Sequence, residues 1–140
     1  MPELVFNVIE HLYDKEDIHQ RRLMLSLSKG ALLEFKTDWN AYGDKPSGKI
    51  PHELLVNYAQ KFVSFSVIVR VIGEFPNNAE QHDNFEKIAY HFSDFANRMR
   101  GFSHKLEHLH LGSSDEWLYE GVEKIFHDID ILINEIDSML

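Results

Sequence analysis

A long, regular rhythm of apolar residues constrains the fold of this chain more than any other feature. Between residues 85 and 109 the apolar side chains recur at alternating steps of three and four, at Phe85, Ile88, Phe92, Phe95, Met99, Phe102, Leu106 and Leu109. This spacing places them on one face of an α-helix, whereas a half-buried strand would alternate at every second residue. The segment therefore predicts a long amphipathic helix that must bury its apolar face against other elements.

Three more segments have a similar period. They are centred on residues 18–42, 55–72 and 118–136, and the last follows Ser113-Ser114-Asp115-Glu116, which resembles a capping box. Glycine and proline between residues 43 and 51 and between 73 and 78 separate the segments. A short amphipathic stretch at Leu4, Val8 and Leu12 is either a short fifth helix or part of the next helix. The prediction is an all-α, antiparallel four-helix bundle, with or without that short fifth helix, in one domain covering residues 1–140.

Several classes of protein are excluded by what the sequence lacks. It contains no cysteine, which excludes disulfides, thiolate zinc sites, iron–sulfur clusters and cysteine nucleophiles. We find no glycine-rich phosphate loop and no nucleophile elbow, and we expect no cofactor. Di-metal bundle sites use two Glu-x-x-His pairs plus two further glutamates, and Glu16 with His19 has the spacing of such a pair. His104 and His108 have a spacing that can hold a transition metal, but we expect no metal site.

The amino-terminal residues do not resemble a targeting peptide, since polar residues at Asn7, Glu10 and His11 interrupt the apolar ones. The longest apolar stretch, from Phe62 to Ile72, is shorter than the roughly 20 residues that span a membrane. We therefore expect a cytoplasmic protein without a membrane segment. The helix around residues 54–72 has more apolar surface than one seam can cover, and this predicts a homodimer.

Acidic residues are concentrated at the carboxyl end of the chain. The formal net charge is −9, and residues 113–140 contain eight acidic side chains against one basic side chain, Lys124. One interpretation is a solvated helix face that keeps the protein soluble. The other is a docking surface, over residues 115–137, for a basic protein partner.

The helix at residues 85–109 has a polar side opposite its apolar face. At 100° per residue, the side chains that fall together there, which we call the polar stripe, are Tyr90, Asn97, Arg100, Gly101, His104 and His108. Imidazoles can act as general acid and base near neutral pH, and an arginine can hold a phosphate group. The stripe is therefore either a ligand-binding face, for which Tyr90, Asn97, Arg100, His104 and His108 are the candidates, or the solvated side of an amphipathic helix.

The same helix contains a string that resembles the signature of the HEPN family. The string is Met99-Arg100-Gly101-Phe102-Ser103-His104-Lys105-Leu106-Glu107-His108, and the family signature is Gly-Phe-Arg-Asn, three variable residues and His. A short loop and an acidic amphipathic helix follow in both. The resemblance covers residues 63–140. It implies a small helical bundle that dimerises with two motifs facing across a cleft, in a family of metal-independent ribonucleases and catalytically silent proteins that bind nucleotides or partners.

Two alignments with that signature remain open. If His108 matches the family histidine, Ser103 and His104 occupy the arginine and asparagine positions. If Arg98 and His104 match instead, the spacing of Arg, five residues and His is retained.

Three functions are compatible with these observations. The first is a non-catalytic, acidic, HEPN-like binding module that acts through a protein partner, a nucleotide or RNA. The alternative is an active ribonuclease whose catalytic residues are His104, His108 and either Arg100 or Arg98, with Asn97 positioning them. The third is an acidic inhibitor of the immunity or antitoxin type. The missing Arg-Asn pair favours the non-catalytic module over the enzyme.

Overall fold

The computed structural model describes residues 18–43, 52–74, 76–108 and 116–140. These residues form four long helices, α1 (Ile18–Gly43), α2 (His52–Gly73), α3 (His82–Glu107) and α4 (Glu116–Met139), and a 3₁₀ helix, Pro76–Gln81, that precedes α3. The described ranges contain no strand. The predicted all-α four-helix fold is therefore confirmed, while the stretch from Leu4 to Leu12 lies outside the described residues.

Neighbouring helices run antiparallel. Lys29 of α1 pairs with Asp137 of α4, and Lys36, two turns later in α1, pairs with Asp130, two turns earlier in α4. The contacts between α1 and α2, between α2 and α3, and between α3 and α4 show the same order: as the residue number rises along one helix, the number of its partner falls along the other. The helices consequently form an up-down-up-down bundle.

Aromatic rings fill the centre of this bundle. The ring of Phe35 lies 5.1 Å from that of Tyr58, 6.0 Å from that of Phe62 and 5.8 Å from that of Phe126, measured between centroids. Phe62 in turn contacts Phe92 at 5.3 Å. Most of these pairs meet edge to face, the arrangement that aromatic quadrupoles prefer. One connected ring cluster therefore joins all four helices.

Helices α2 and α3 approach each other more closely than any other pair. Small buried residues recur at every seventh position of both helices, at Ala59, Ser66 and Gly73 and at Ala89, Ala96 and Ser103. A seven-residue step keeps a side chain on the same side of a helix, so each series forms a narrow strip of small side chains. We call these six residues the small-residue seam. Small side chains facing a neighbour allow the two backbones to come close together.

Helix α2 is also the one described helix that is long and apolar enough to cross a membrane by length and composition alone. Core helices of soluble proteins meet the same criteria, and Leu55, Phe62 and Val69 of α2 lie fully buried in the bundle. On its outward side, Val67 is 41% exposed. The homodimer predicted from the apolar surface of α2 stays a prediction.

Two glycines provide a test of the close approach of α2 and α3. A Cβ atom added at Gly73, at the end of α2, would lie 2.7 Å from Cβ of Phe85, whereas one added at Gly30 in α1 would meet no atom within 4 Å. We expect Gly73→Ala to lower the free energy of unfolding by about 1–3 kcal/mol, because the backbones must move apart. We expect Gly30→Ala to raise it by about 0.5–1 kcal/mol through helix propensity alone. Urea denaturation measures both, and a stabilising Gly73→Ala would contradict the assigned packing.

A buried phenol predicts how stability changes at alkaline pH. Tyr58 is 5% exposed and donates a hydrogen bond to the carboxylate of Asp38. Burial, and then this hydrogen bond and the charges of Glu34 and Asp38, raise the pKa of Tyr58 well above its ordinary value. The folded state thus keeps a proton that the unfolded chain releases near pH 10. The stabilisation should be complete below that pH and should be lost progressively as the pH rises above it.

The comparison that isolates this effect is Tyr58→Phe, which removes the titrating hydroxyl and keeps the ring. Denaturation between pH 8 and pH 11 should show a smaller alkaline loss of stability in the variant than in the parent. Parallel pH profiles for the two proteins would show that the phenol does not contribute.

Candidate functional site

The structure places the whole polar stripe in solvent. Five of its residues lie on α3 and the sixth, His108, follows the last residue of that helix; all six are exposed, and the side chain of Tyr90 is 63% exposed. The opposite side of α3 contacts α4, where the ring of Phe102 lies 6.2 Å from that of Trp117 and Arg98 pairs with Asp128. The stripe therefore faces away from α4.

At the carboxyl end of α3 the two stripe histidines lie against each other. The ring centroids of His104 and His108, one turn apart, are 4.6 Å apart, with the rings inclined at 69°. The ligand atoms of His104, Glu107 and His108 all lie within 4.8 Å of one another. Side chains that can act as metal ligands therefore converge at this end of the stripe.

The first residue of α2 joins the same group. His52 Nε2 lies 3.1 Å from Oε1 of Glu107 and 2.6 Å from Oγ of Ser103, which is buried. We call the group of five side chains the α3-end cluster: His52, Ser103, His104, Glu107 and His108. The α2–α3 register brings His52 to a partner 55 residues away in the sequence.

Arg98 lies apart from the polar stripe. Its guanidinium donates to Asp94 at 2.7 and 3.0 Å and to Asp128 of α4 at 2.6 Å. Burial alone would lower the pKa of Arg98, but the hydrogen bonds that it donates to Asp128 and Asp94, and the negative charges of these two carboxylates, outweigh burial, so the pKa is raised. Arg100 differs, because it is exposed and has no ion pair or hydrogen bond with any described residue.

Several acidic side chains of α4 form ion pairs with neighbouring helices at the surface of the bundle. Four of its carboxylates form ion pairs of 2.6–2.8 Å with cations of α1 and α3, namely Asp128 with Arg98, Asp130 with Lys36, Glu135 with Lys87, and Asp137 with Lys29. Glu120 and Glu123 are exposed at the other end of the helix. Docking of a basic partner on residues 115–137 stays a prediction, and Asp115 lies outside the described residues.

The cavities that we describe lie away from the polar stripe. The largest is an open groove of about 810 Å³ along α4, lined by residues that include Lys36, Arg98, Lys124 and His127. A second, of about 430 Å³, lies between Trp39 and α4, and a third, of about 150 Å³, lies at the opposite end of α4. No stripe residue lines any of these three cavities.

Comparisons with known proteins add no relative: no family model matches the chain, and no curated protein or solved structure is significantly similar to it. The HEPN resemblance stays a prediction that rests on residues 99–108 and the acidic helix that follows them.

Several features of this region do not follow from helical periodicity. The i, i+4 spacing of His104 and His108 is visible in the sequence, and the structure shows that both residues are exposed. His52 and Ser103 are brought in by contact between helices, and the partners of Arg98 include one from α4. Glu107 could have been recognised from its position three residues after His104, a spacing that also places side chains on one face.

The ion pair between Arg98 and Asp128 should couple α3 and α4 measurably. A double-mutant cycle with Arg98→Met and Asp128→Asn should give a coupling energy of about 1 kcal/mol, near the upper limit for partly exposed pairs. Arg70 and Glu86 provide a matched control, since their single contact is 3.4 Å long and more exposed, and about 0.3 kcal/mol is expected there. Equal couplings in urea denaturation would mean that Arg98 has no special structural role.

Proposed function

We propose that this protein is a non-catalytic binding module that holds a strand of RNA along the polar stripe of α3. The observation that carries the proposal is Arg100, an exposed guanidinium with no carboxylate partner among the described residues, one turn before His104. A guanidinium can bind a phosphate group through two parallel hydrogen bonds. Arg100 is therefore available for an anionic ligand.

Most other cations of the described residues already have partners. Salt bridges engage Lys29, Lys36, Lys61, Arg70, Lys87 and Arg98. The ammonium of Lys105 lies 4.2 Å from the centre of the Trp117 ring. Among the described residues, Arg22 and Lys124 have no such partner, but they lie on α1 and α4, away from the stripe histidines. Arg100 is thus the unpaired cation of the described residues that shares a face with His104 and His108.

The shape and side chains of the stripe support a strand rather than a single nucleotide. From Tyr90 to His108 the helix rises roughly 27 Å, because each residue adds about 1.5 Å. The exposed phenol of Tyr90 and the imidazoles of His104 and His108 offer aromatic faces on which bases can stack. The paired carboxylates of α4 lie on the other side of α3, where their electrostatic repulsion of a phosphate bound to the stripe is weakest.

Two contacts favour binding without cleavage. Arg98 is held in ion pairs, so it is not available to stabilise charge on a reacting phosphate. General acid and general base act from different sides of that phosphate, whereas the rings of His104 and His108 contact each other. The resemblance to HEPN proteins, which include catalytically silent members, agrees with this function.

Fluorescence anisotropy with labelled single-stranded RNA, in low salt and excess chelator, tests the proposal. Arg100→Gln should weaken binding about 3- to 10-fold through loss of one charge-assisted contact. Arg22→Gln, which removes the same charge from an exposed site on α1, should leave the affinity unchanged. Equal weakening by both variants would indicate diffuse electrostatic attraction instead of a site, and the absence of binding by the parent would refute the proposal.

The same RNA, examined by gel electrophoresis, separates binding from catalysis. We expect it to stay intact with the parent and with a His104→Ala/His108→Ala double variant. Cleavage by the parent that the double variant loses would replace the binding module with the metal-independent ribonuclease.

A further inference from the structure

We infer that His104, Glu107 and His108 form a binding site for a divalent transition-metal ion, a property that does not depend on the proposed RNA binding. The three residues occupy one turn at the end of α3, and their ligand atoms lie within 4.8 Å of one another. All three side chains are exposed, so a metal ion can reach them from solvent.

The geometry requires only small movements of these side chains. Ligand atoms around a tetrahedral zinc ion, at about 2.0–2.1 Å from the metal, are about 3.4 Å apart. Side chains on an exposed helical turn can close the remaining distance by rotating about their own bonds. Three protein ligands leave at least one coordination position for water or for a bound anion.

The donor set indicates which ions would bind. Two imidazole nitrogens and one carboxylate oxygen suit Zn²⁺, Ni²⁺ and Cu²⁺, whereas Mg²⁺ and Ca²⁺ prefer oxygen ligands. With neutral imidazoles the carboxylate of Glu107 contributes one negative charge to the site. The site should therefore distinguish zinc from magnesium clearly.

Residues around the three ligands support the carboxylate. Oε1 of Glu107 lies 3.1 Å and Oγ of buried Ser103 lies 2.6 Å from the same atom, Nε2 of His52, so a proton on Nε2 is donated between these two acceptors. Ligating carboxylates in metal sites commonly receive such hydrogen bonds, which fix their orientation. The first turn of α2 thus preorganises Glu107 on α3.

The nearby cations act in opposite directions. Lys105, between the ligands in sequence, is held over the Trp117 ring at 4.2 Å and so lies on the α4 side of the helix. Arg100, one turn before His104, repels a metal ion and lowers the affinity of the site. We therefore expect moderate affinity, below that of a buried structural zinc site.

A second convergent group lies at the other end of α2 and α3, at Glu74, His82 and Glu86. Its side chains already interact with other groups: His82 forms a hydrogen bond of 2.8 Å with Glu74, and Glu86 forms an ion pair of 3.4 Å with Arg70. It offers one imidazole, and a guanidinium lies beside it. This group therefore serves as the control for the proposed site.

Isothermal titration calorimetry of the untagged full-length chain with zinc chloride and with magnesium chloride tests the inference. The parent should bind Zn²⁺ more tightly than Mg²⁺. His104→Ala and His108→Ala should each weaken zinc binding about tenfold or more, and Glu107→Gln, which keeps the shape of the side chain, should weaken it less. The matched controls His82→Ala and His127→Ala should bind zinc like the parent.

Circular dichroism confirms that each variant remains helical, as substitution at exposed positions should allow. If an alanine variant loses helicity, the zinc affinity of Glu107→Gln is compared with that of the parent instead, and weaker binding by Glu107→Gln supports the site. The inference is overturned if the parent does not bind zinc, if the parent and the double variant His104→Ala/His108→Ala give the same isotherm, or if His82→Ala loses binding to the same extent.

Discussion

The close approach of α2 and α3 is the constraint on which the rest of this structure depends. The small-residue seam allows the two backbones of α2 and α3 to come together over their length. A seam of this kind also determines register, because a shift along it would bring large side chains into the narrow contact. The register places His52 beside Ser103 and Glu107 at one end of the pair and His82 beside Glu74 at the other. The contact of His52 with the end of α3 is thus a consequence of how two helices pack.

Charge is distributed to match this arrangement. The acidic helix α4 lies between cations of α1 and α3, and four of its carboxylates are neutralised there. Each such pair stabilises the fold by about 1 kcal/mol at most, since the side chains are partly exposed. Their larger effect is on the surface: they occupy most cations of the described residues and leave Arg100 and its neighbouring imidazoles as an open polar face. A net charge of −9 therefore does not describe the local environment of α3.

Helical periodicity predicted much of the site and missed the rest for a clear reason. It grouped Tyr90, Asn97, Arg100, His104 and His108 on the side of one helix opposite its apolar face, because a single helix determines which side chains share a side. The structure shows that all five are exposed. The sequence left Arg98 and Arg100 as alternative arginines of a ribonuclease site. In the structure Arg98 forms ion pairs with Asp94, four residues earlier, and with Asp128, on another helix. His52 has no local signal at all. Its part in the site exists only once α2 and α3 are packed together.

The sequence by itself determined the helical class of the protein, the four described helices and the face that each one buries, because alternating three- and four-residue apolar spacing has few other solutions. The tertiary structure decided which side chains from different helices meet. Such contacts depend on register, and register depends on the sizes of buried residues such as Gly73 and Phe85, where a single added methyl group would clash. Apolar periodicity along one segment indicates only which of its positions are buried. The distance between two helices depends on the sizes of the facing side chains of both, so it cannot be obtained from the pattern of either segment alone.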